Sequence, residues 1–151
     1  MIPFRDYILG GHATFTIVSR NTGTRFTYRV QQKPDTNPPL YFVSVLGSRY
    51  EFLGIISHDG RYRHGRKSDY DATTPCSQAF GYLMRHVDHL DTVPIDFYPS
   101  TKCCRCGKTL TNPTSIDLGI GPDCLEGKVM HLTDRQRMQW ALRHEVTYET
   151  V

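Results

Sequence analysis

Four of the five cysteines fall between positions 103 and 124, and their spacing is that of a metal knuckle. Cys103 and Cys106 form a C-x-x-C followed at once by Gly107. A loop of this kind turns backbone N–H groups toward both sulfurs, and a glycine after the second cysteine takes a positive φ without a steric penalty. Thiolates supply the charge that a borderline-soft dication such as zinc prefers. Further on, Gly119-Ile120-Gly121-Pro122 reads as a tight turn, with Pro122 suited to the first helical position. Cys124 then falls in the first turn of a short helix, where the peptide dipoles favour the thiolate. Between the two halves, Asn112-Pro113-Thr114-Ser115 reads as the cap and first turn of a short helical segment ending near Gly119.

This stretch resembles a family of uncharacterised proteins from bacterial viruses and actinobacteria. Its C-terminal module runs C-x-x-C-G-(Arg/Lys)-x-Leu-(Thr/Ser), then Pro and Ser, then Gly-x-Gly-Pro-x-Cys. The matching residues are Cys103, Cys106, Gly107, Lys108, Leu110, Thr111, Pro113, Ser115, Gly119, Gly121, Pro122 and Cys124. Looser similarity covers Thr22 to Tyr28 and Gly60 to Ser68. The resemblance implies a zinc-binding, phage-type protein and supplies no activity. It secures three ligands, Cys103, Cys106 and Cys124, whereas structural zinc takes four. Some members of the family have a histidine just before the first cysteine; Phe97 to Thr101 departs from that version. Cys104 is the first choice for the fourth ligand, against the reading that it is a bystander packed beside the site. His131 is the runner-up, and Cys76, His86 and His89 could arrive from an earlier helix.

A second stretch with chemical potential is Arg61-Tyr62-Arg63-His64-Gly65-Arg66-Lys67. It suits phosphate contacts with one aromatic ring available for stacking on a base. The competing reading is a solvated edge strand whose charges discourage sheet-to-sheet association. The net charge of +3 decides nothing by itself, but its distribution is informative. From Arg20 to Lys67, nine basic residues stand against Asp35, Glu51 and Asp59. Attraction to nucleic acid is therefore expected on the N-terminal half, with Arg25, Arg29, Arg61, Tyr62, Arg63, Arg66 and Lys67 as its contact residues.

The elements that must position these groups follow from periodicity. Ala13 to Ser19 and Arg25 to Gln31 alternate apolar and polar residues around an Asn21-Thr22-Gly23 turn, a hairpin pattern that puts Arg25 and Arg29 beside threonines on the face away from the core. Leu40 to Leu46 and Glu51 to Ser57 extend it into an antiparallel meander. Thr74-Pro75 opens a helix whose Cys76, Phe80, Leu83, Met84, Val87 and Leu90 form an apolar stripe, with Cys76 read by default as a buried small hydrophobe. Ile95 to Tyr98 reads as a short strand leading into the knuckle. Thr133-Asp134-Arg135-Gln136 is a capping box for a last helix, to be docked by Trp140.

The expected fold is α+β: a small antiparallel sheet packed by a helix, then a treble-clef or ribbon-like zinc knuckle, then a C-terminal helix. The expected divisions are 1–98, 99–131 and 132–151. At 151 residues, 38% hydrophobic and 22% charged, the chain has the composition of an ordinary soluble protein. No run approaches the roughly 18 apolar residues of a membrane span, and residues 1–6 lack the apolar core of a signal peptide, so a cytoplasmic location is expected. Clustered cysteines in odd number favour metal in a reducing compartment over a disulfide framework. No H-x-E precedes the knuckle, and the P-loop and Gly-x-Ser-x-Gly patterns are absent, so no catalysis is expected. The leading expectation is a zinc-stabilised, phage-encoded accessory protein that binds DNA or RNA. The alternative is a viral effector whose basic and aromatic surface blocks a host defence complex, nuclease or polymerase.

Overall fold

The computed structural model describes residues 1–110, 113–122, 124 and 125. The chain opens with a short helix, α1 (Phe4–Ile8), and continues into β1 (His12–Ser19), β2 (Arg25–Gln32), β3 (Tyr41–Leu46), β4 (Tyr50–Ile56) and β5 (Tyr62–His64). There follow α2 (Pro75–Arg85), a 3-10 segment (Val87–Thr92), β6 (Ile95–Pro99) and α3 (Pro113–Leu118). The strands form one antiparallel sheet in the order β5-β4-β3-β2-β1-β6. The first five are joined as a meander, and β6 returns to pair with the free edge of β1. This is the expected antiparallel sheet packed by a helix.

Alternation decides which side of each strand is buried. Phe15 and Ile17 of β1, Tyr28 and Val30 of β2, Val43 and Val45 of β3, and Leu53 and Ile56 of β4 lie in the core. Register places Thr14, Thr16, Thr27, Arg29, Phe42 and Ser44 on the opposite face, where all are exposed or half-buried. Thr16 and Thr27 are direct partners, their hydroxyls 2.7 Å apart.

α2 covers the core face. Pro75 occupies its first turn, and the Thr74 hydroxyl donates to the Asp71 carbonyl rather than to a helical N–H. Phe80 is fully buried, edge-on to Tyr28 at 4.9 Å and to Tyr62 at 4.8 Å. Cys76 is buried on the same stripe, as expected of it. The helix is shorter than the apolar spacing suggests. It stops at Arg85, and Val87 and Leu90 reach the core from the 3-10 segment, in which His89 has non-helical φ and ψ. An apolar stripe records which residues face inward and is nearly blind to a change of helix type.

α1 has no sequence signature, because five residues are too few to show a period. It is nevertheless where the cysteine module meets the sheet. Ile2, Tyr7, Ile8 and Leu9 share one buried cluster with Cys103, Cys104, Leu118 and Ile120. The capping box, last helix, Trp140 and His131 lie outside the described residues, as does Asn112.

Candidate functional site

The cysteine module starts as a hairpin. Lys102 and Thr109 form a bridge, the Leu110 N–H donates to Thr101 O at 2.8 Å, and the Cys103 N–H donates to Lys108 O at 2.8 Å. At the tip the Gly107 N–H reaches back to Cys103 O at 3.0 Å, with Gly107 at φ 79°. That left-handed conformation is the reason for glycine after the second cysteine. α3 is followed by Gly119, φ 81°, whose carbonyl accepts from the Cys104 N–H at 3.0 Å and so ties the two halves together. Pro122, Cys124 and Leu125 are helical, and the Leu125 N–H donates to Gly121 O at 3.0 Å.

The outcome is a group of three sulfurs, Cys103, Cys106 and Cys124, all within 4.8 Å of one another. Two sulfurs on one zinc ion at about 2.3 Å can stand no more than about 4.6 Å apart. The three cysteines therefore fit a metal ion after small side-chain adjustment. The backbone is already arranged for thiolate: the N–H groups of Arg105 and Gly121 point at the Cys103 sulfur, each at 3.4 Å. Burial pushes the Cys103 thiol up, but the N–H groups of Cys106, Gly121 and Arg105 outweigh it and leave the thiol below its ordinary value. Cys124 goes the other way, to about 12, raised by burial and by the neighbouring Cys103 and Cys106 sulfurs. Two or three thiolates so close repel one another unless a cation shares their charge.

Cys104 does not join this group among the described residues. Its sulfur faces α1, against Gly10, and burial first, then Cys103 and Cys124, push its thiol up. Cys104, the first choice of fourth ligand, is thus packed against Gly10 and is not among the three grouped sulfurs of the described residues. Cys76, His86 and His89 are elsewhere. Cys76 lies in the first turn of α2 beside Thr74, and the His86 ring packs on Tyr82 at 4.3 Å.

Residues 96–127 match the model of a family of unknown function, DUF6011. No curated protein and no solved structure matches the chain. The DUF6011 match runs from β6 through the knuckle, α3 and the glycine turn past Cys124. It thus agrees with an uncharacterised module around the three grouped cysteines and leaves the rest of the sheet unmatched.

The basic residues divide between two sides of the molecule. Arg25 and Arg29 are on the sheet face opposite α2, uncovered among the described residues, with the Arg29 guanidinium 4.2 Å above the Tyr50 ring. Arg63, Arg66 and Lys67 line a groove on that same face with Phe42, Phe52 and Ile55. Arg61 and Tyr62 are not with them. Arg61 is 3.4 Å from Asp59 in a hollow shared with Arg5 and Arg85, and the Tyr62 ring packs on Phe80. β5 is a strand, so alternation sends Tyr62 to the core while Arg63 faces out. His64 is structural: one ring nitrogen meets the Ser77 hydroxyl at 2.8 Å and the other the Tyr70 carbonyl at 2.7 Å.

Residues not singled out from sequence complete the face. Phe42 is 37% exposed and Tyr98 55% exposed. Phe42 meets Phe52 edge-on at 5.8 Å, and Lys33 lies over the Phe42 ring at 5.4 Å. The alternation of β3 marks Phe42 as outward-facing; its association with Arg63 depends on strand register across β4, whose pairing with β3 shifts between Val43 and Ser44.

Proposed function

We propose that this chain is a nucleic-acid-binding protein, with a structural zinc ion on Cys103, Cys106 and Cys124 and its binding surface on the uncovered sheet face. Zinc follows from the donor set, since a thiolate-rich group selects zinc over hard cations. When bound, it cross-links the knuckle to the helical turn of Cys124, and no catalytic role is assigned to it.

The observation that carries the reading is the charge of the sheet face. Arg25, Arg29, Arg63, Arg66, Lys67 and Lys102 gather there beside exposed aromatic rings. Asp96 shares this face at its β6 edge, where it is paired with Arg20 at 3.6 Å, and Glu51 lies on the other side of the sheet, opposite the buried Val45. Cations gathered around an apolar strip suit a polyanion that also carries flat apolar groups.

The test is fluorescence anisotropy of labelled DNA and RNA with the zinc-loaded protein over a salt series. Affinity is expected to fall linearly in a log–log plot. Replacing Arg63, Arg66 and Lys67 together by alanine should flatten the slope by about 2 to 3, close to one unit for each phosphate no longer neutralised. Absence of binding at low salt would reject the reading.

A further inference from the structure

The dimensions of the sheet face bear on which kind of nucleic acid it could fit. It belongs to a six-stranded sheet, and strands about 4.8 Å apart make such a sheet about 24 Å across. The duplex major groove is about 12 Å wide and admits a helix or a two-stranded ribbon. The sheet therefore meets a duplex only along its rim, whereas a single strand can lie across it.

Two hollows on the face have complementary chemistry. The first, about 680 Å³, has Phe42, Phe52 and Ile55 as its apolar floor, with Arg63, Arg66 and Lys67 at its margin. The second, about 320 Å³, is polar and is lined by His12, Thr14, Arg29, Ser100 and Lys102 among others, with no carboxylate among the described residues of its lining. Arg29 is held there by its stacking on Tyr50, and its buried Nε has no hydrogen-bond partner among the described residues. A guanidinium fixed in place with an unused N–H, flanked by hydroxyls and a lysine, is suited to a phosphate oxygen. The hollows adjoin, because Arg29 pairs with Ser44 and Ser44 with Phe52, which sets Arg29 and Phe52 two strands, or about 10 Å, apart.

We propose that the ligand is single-stranded nucleic acid crossing the open sheet face, with a base on the Phe42–Phe52 platform and a backbone phosphate in the Arg29 hollow. This rests on the nucleic-acid reading above and adds strandedness and two subsites. Gly107 lines the phosphate hollow, so the metal knuckle forms one of its walls. Base stacking on an aromatic ring tolerates any base, which predicts little sequence preference.

The experiment uses the full zinc-loaded chain with labelled oligothymidylate, oligouridylate, an abasic oligomer and a duplex, all of one length and each titrated over the same salt series. Both single strands are expected to bind at least about tenfold tighter than the duplex or the abasic oligomer, given the affinity that stacking supplies. Phe42→Ala should weaken single-strand binding about 5- to 100-fold with an unchanged salt slope, and Phe42→Trp should restore it. Arg29→Gln should lower the slope by about 0.7, one single-strand phosphate contact. Phe42 is on the surface, so its truncation leaves the core filled, and the thermal melt of the variant checks this. Duplex binding as tight as single-strand binding, or single-strand affinity unmoved by Phe42→Ala, overturns this proposal and leaves the broader reading standing. Failure of every oligomer to bind at low salt overturns both.

Discussion

The sheet and the cysteine module are held together by different means. In the sheet, each strand pairs with one or two neighbours along continuous antiparallel ladders, and one entire face is sealed by apolar side chains and α2. The described part of the module has a single bridge, the six-residue α3 and a set of turns. What it lacks in ladder it gains by attachment. Ile2 N–H donates to Leu118 O at 3.1 Å, His12 N–H donates to Cys104 O at 2.7 Å, and the Tyr7 ring lies against Gly119. Tyr7 is fully buried between the regions: its hydroxyl donates to Thr14 O at 2.8 Å, its ring meets Phe15 and Phe97 edge-on, and burial pushes its phenol up to about 12. The sheet is thus held by its own ladders and core, while the described part of the module leans on α1 and, in the proposed reading, on a metal ion.

Removing the metal should separate the two regions most widely. Metal at 1,000 times its dissociation constant stabilises the folded state by about 4 kcal/mol. For a chain of this size, chelation or Cys106→Ser should lower the melting temperature by about 10 °C. Hydrogen exchange would show where the loss falls. Amides of residues 101–110, 113–122, 124 and 125 should lose protection while those of β1 to β4 keep theirs. Collapse of sheet protection at the same time would break the comparison. An unchanged melt with metal demonstrably absent would show that the sulfurs need no ion.

A second variant tests the seat without touching a ligand. A Cβ on Gly10 would come 2.6 Å from Cys104 O and 2.9 Å from Cys104 Sγ. The nearest obstruction is backbone, so it cannot swing aside. Gly10→Ala should cost about 1–3 kcal/mol by overpacking and weaken metal retention against a competing chelator, although Gly10 binds no metal. A variant with wild-type stability and metal affinity would show that the knuckle is free to shift on α1, and the module would then be an appendage to the sheet.

The difference between the regions also explains what can be read from the residues. Strands β1 to β4 are long enough for alternation to declare them, and their starts and ends fall within one residue of expectation. The three clustered cysteines are legible because metal geometry restricts spacing more tightly than any propensity does. Cys104 shows the limit: spacing identifies a thiol near the site, but the direction of its side chain comes from the Gly119 and His12 hydrogen bonds on either side of it. Proximity in the chain groups Arg61 and Tyr62 with Arg63, and β5 parts them because neighbours in a strand face opposite ways. α1 and the Phe42–Phe52 platform escape a sequence reading for different reasons. One is too short for a period, and the other exists only once β3 and β4 pair across their bulge.

The smallest expected effect concerns the contact that fixes α1 from its other side. Arg5 donates twice to Asp88, Nε to Oδ1 at 2.9 Å and Nη2 to Oδ2 at 2.8 Å, joining α1 to the 3-10 segment. The hydrogen bond from Arg5 holds the Asp88 carboxyl below its ordinary value. The pair is exposed at its Asp88 end, 63% by side chain, so solvent screening limits it to about 0.5 kcal/mol. A carboxyl whose folded pKa is depressed contributes fully above its unfolded value and loses that contribution as pH falls through the folded one. Arg5→Ala should therefore lower the melting temperature by about 1–2 °C at pH 7, and the gap between variant and wild type should close below about pH 4. Metal affinity should not change, because the seat of the knuckle is at Gly10 and Tyr7 rather than at Arg5. A loss of metal retention as large as that of Gly10→Ala would instead place the junction's rigidity in the α1 helix as a whole.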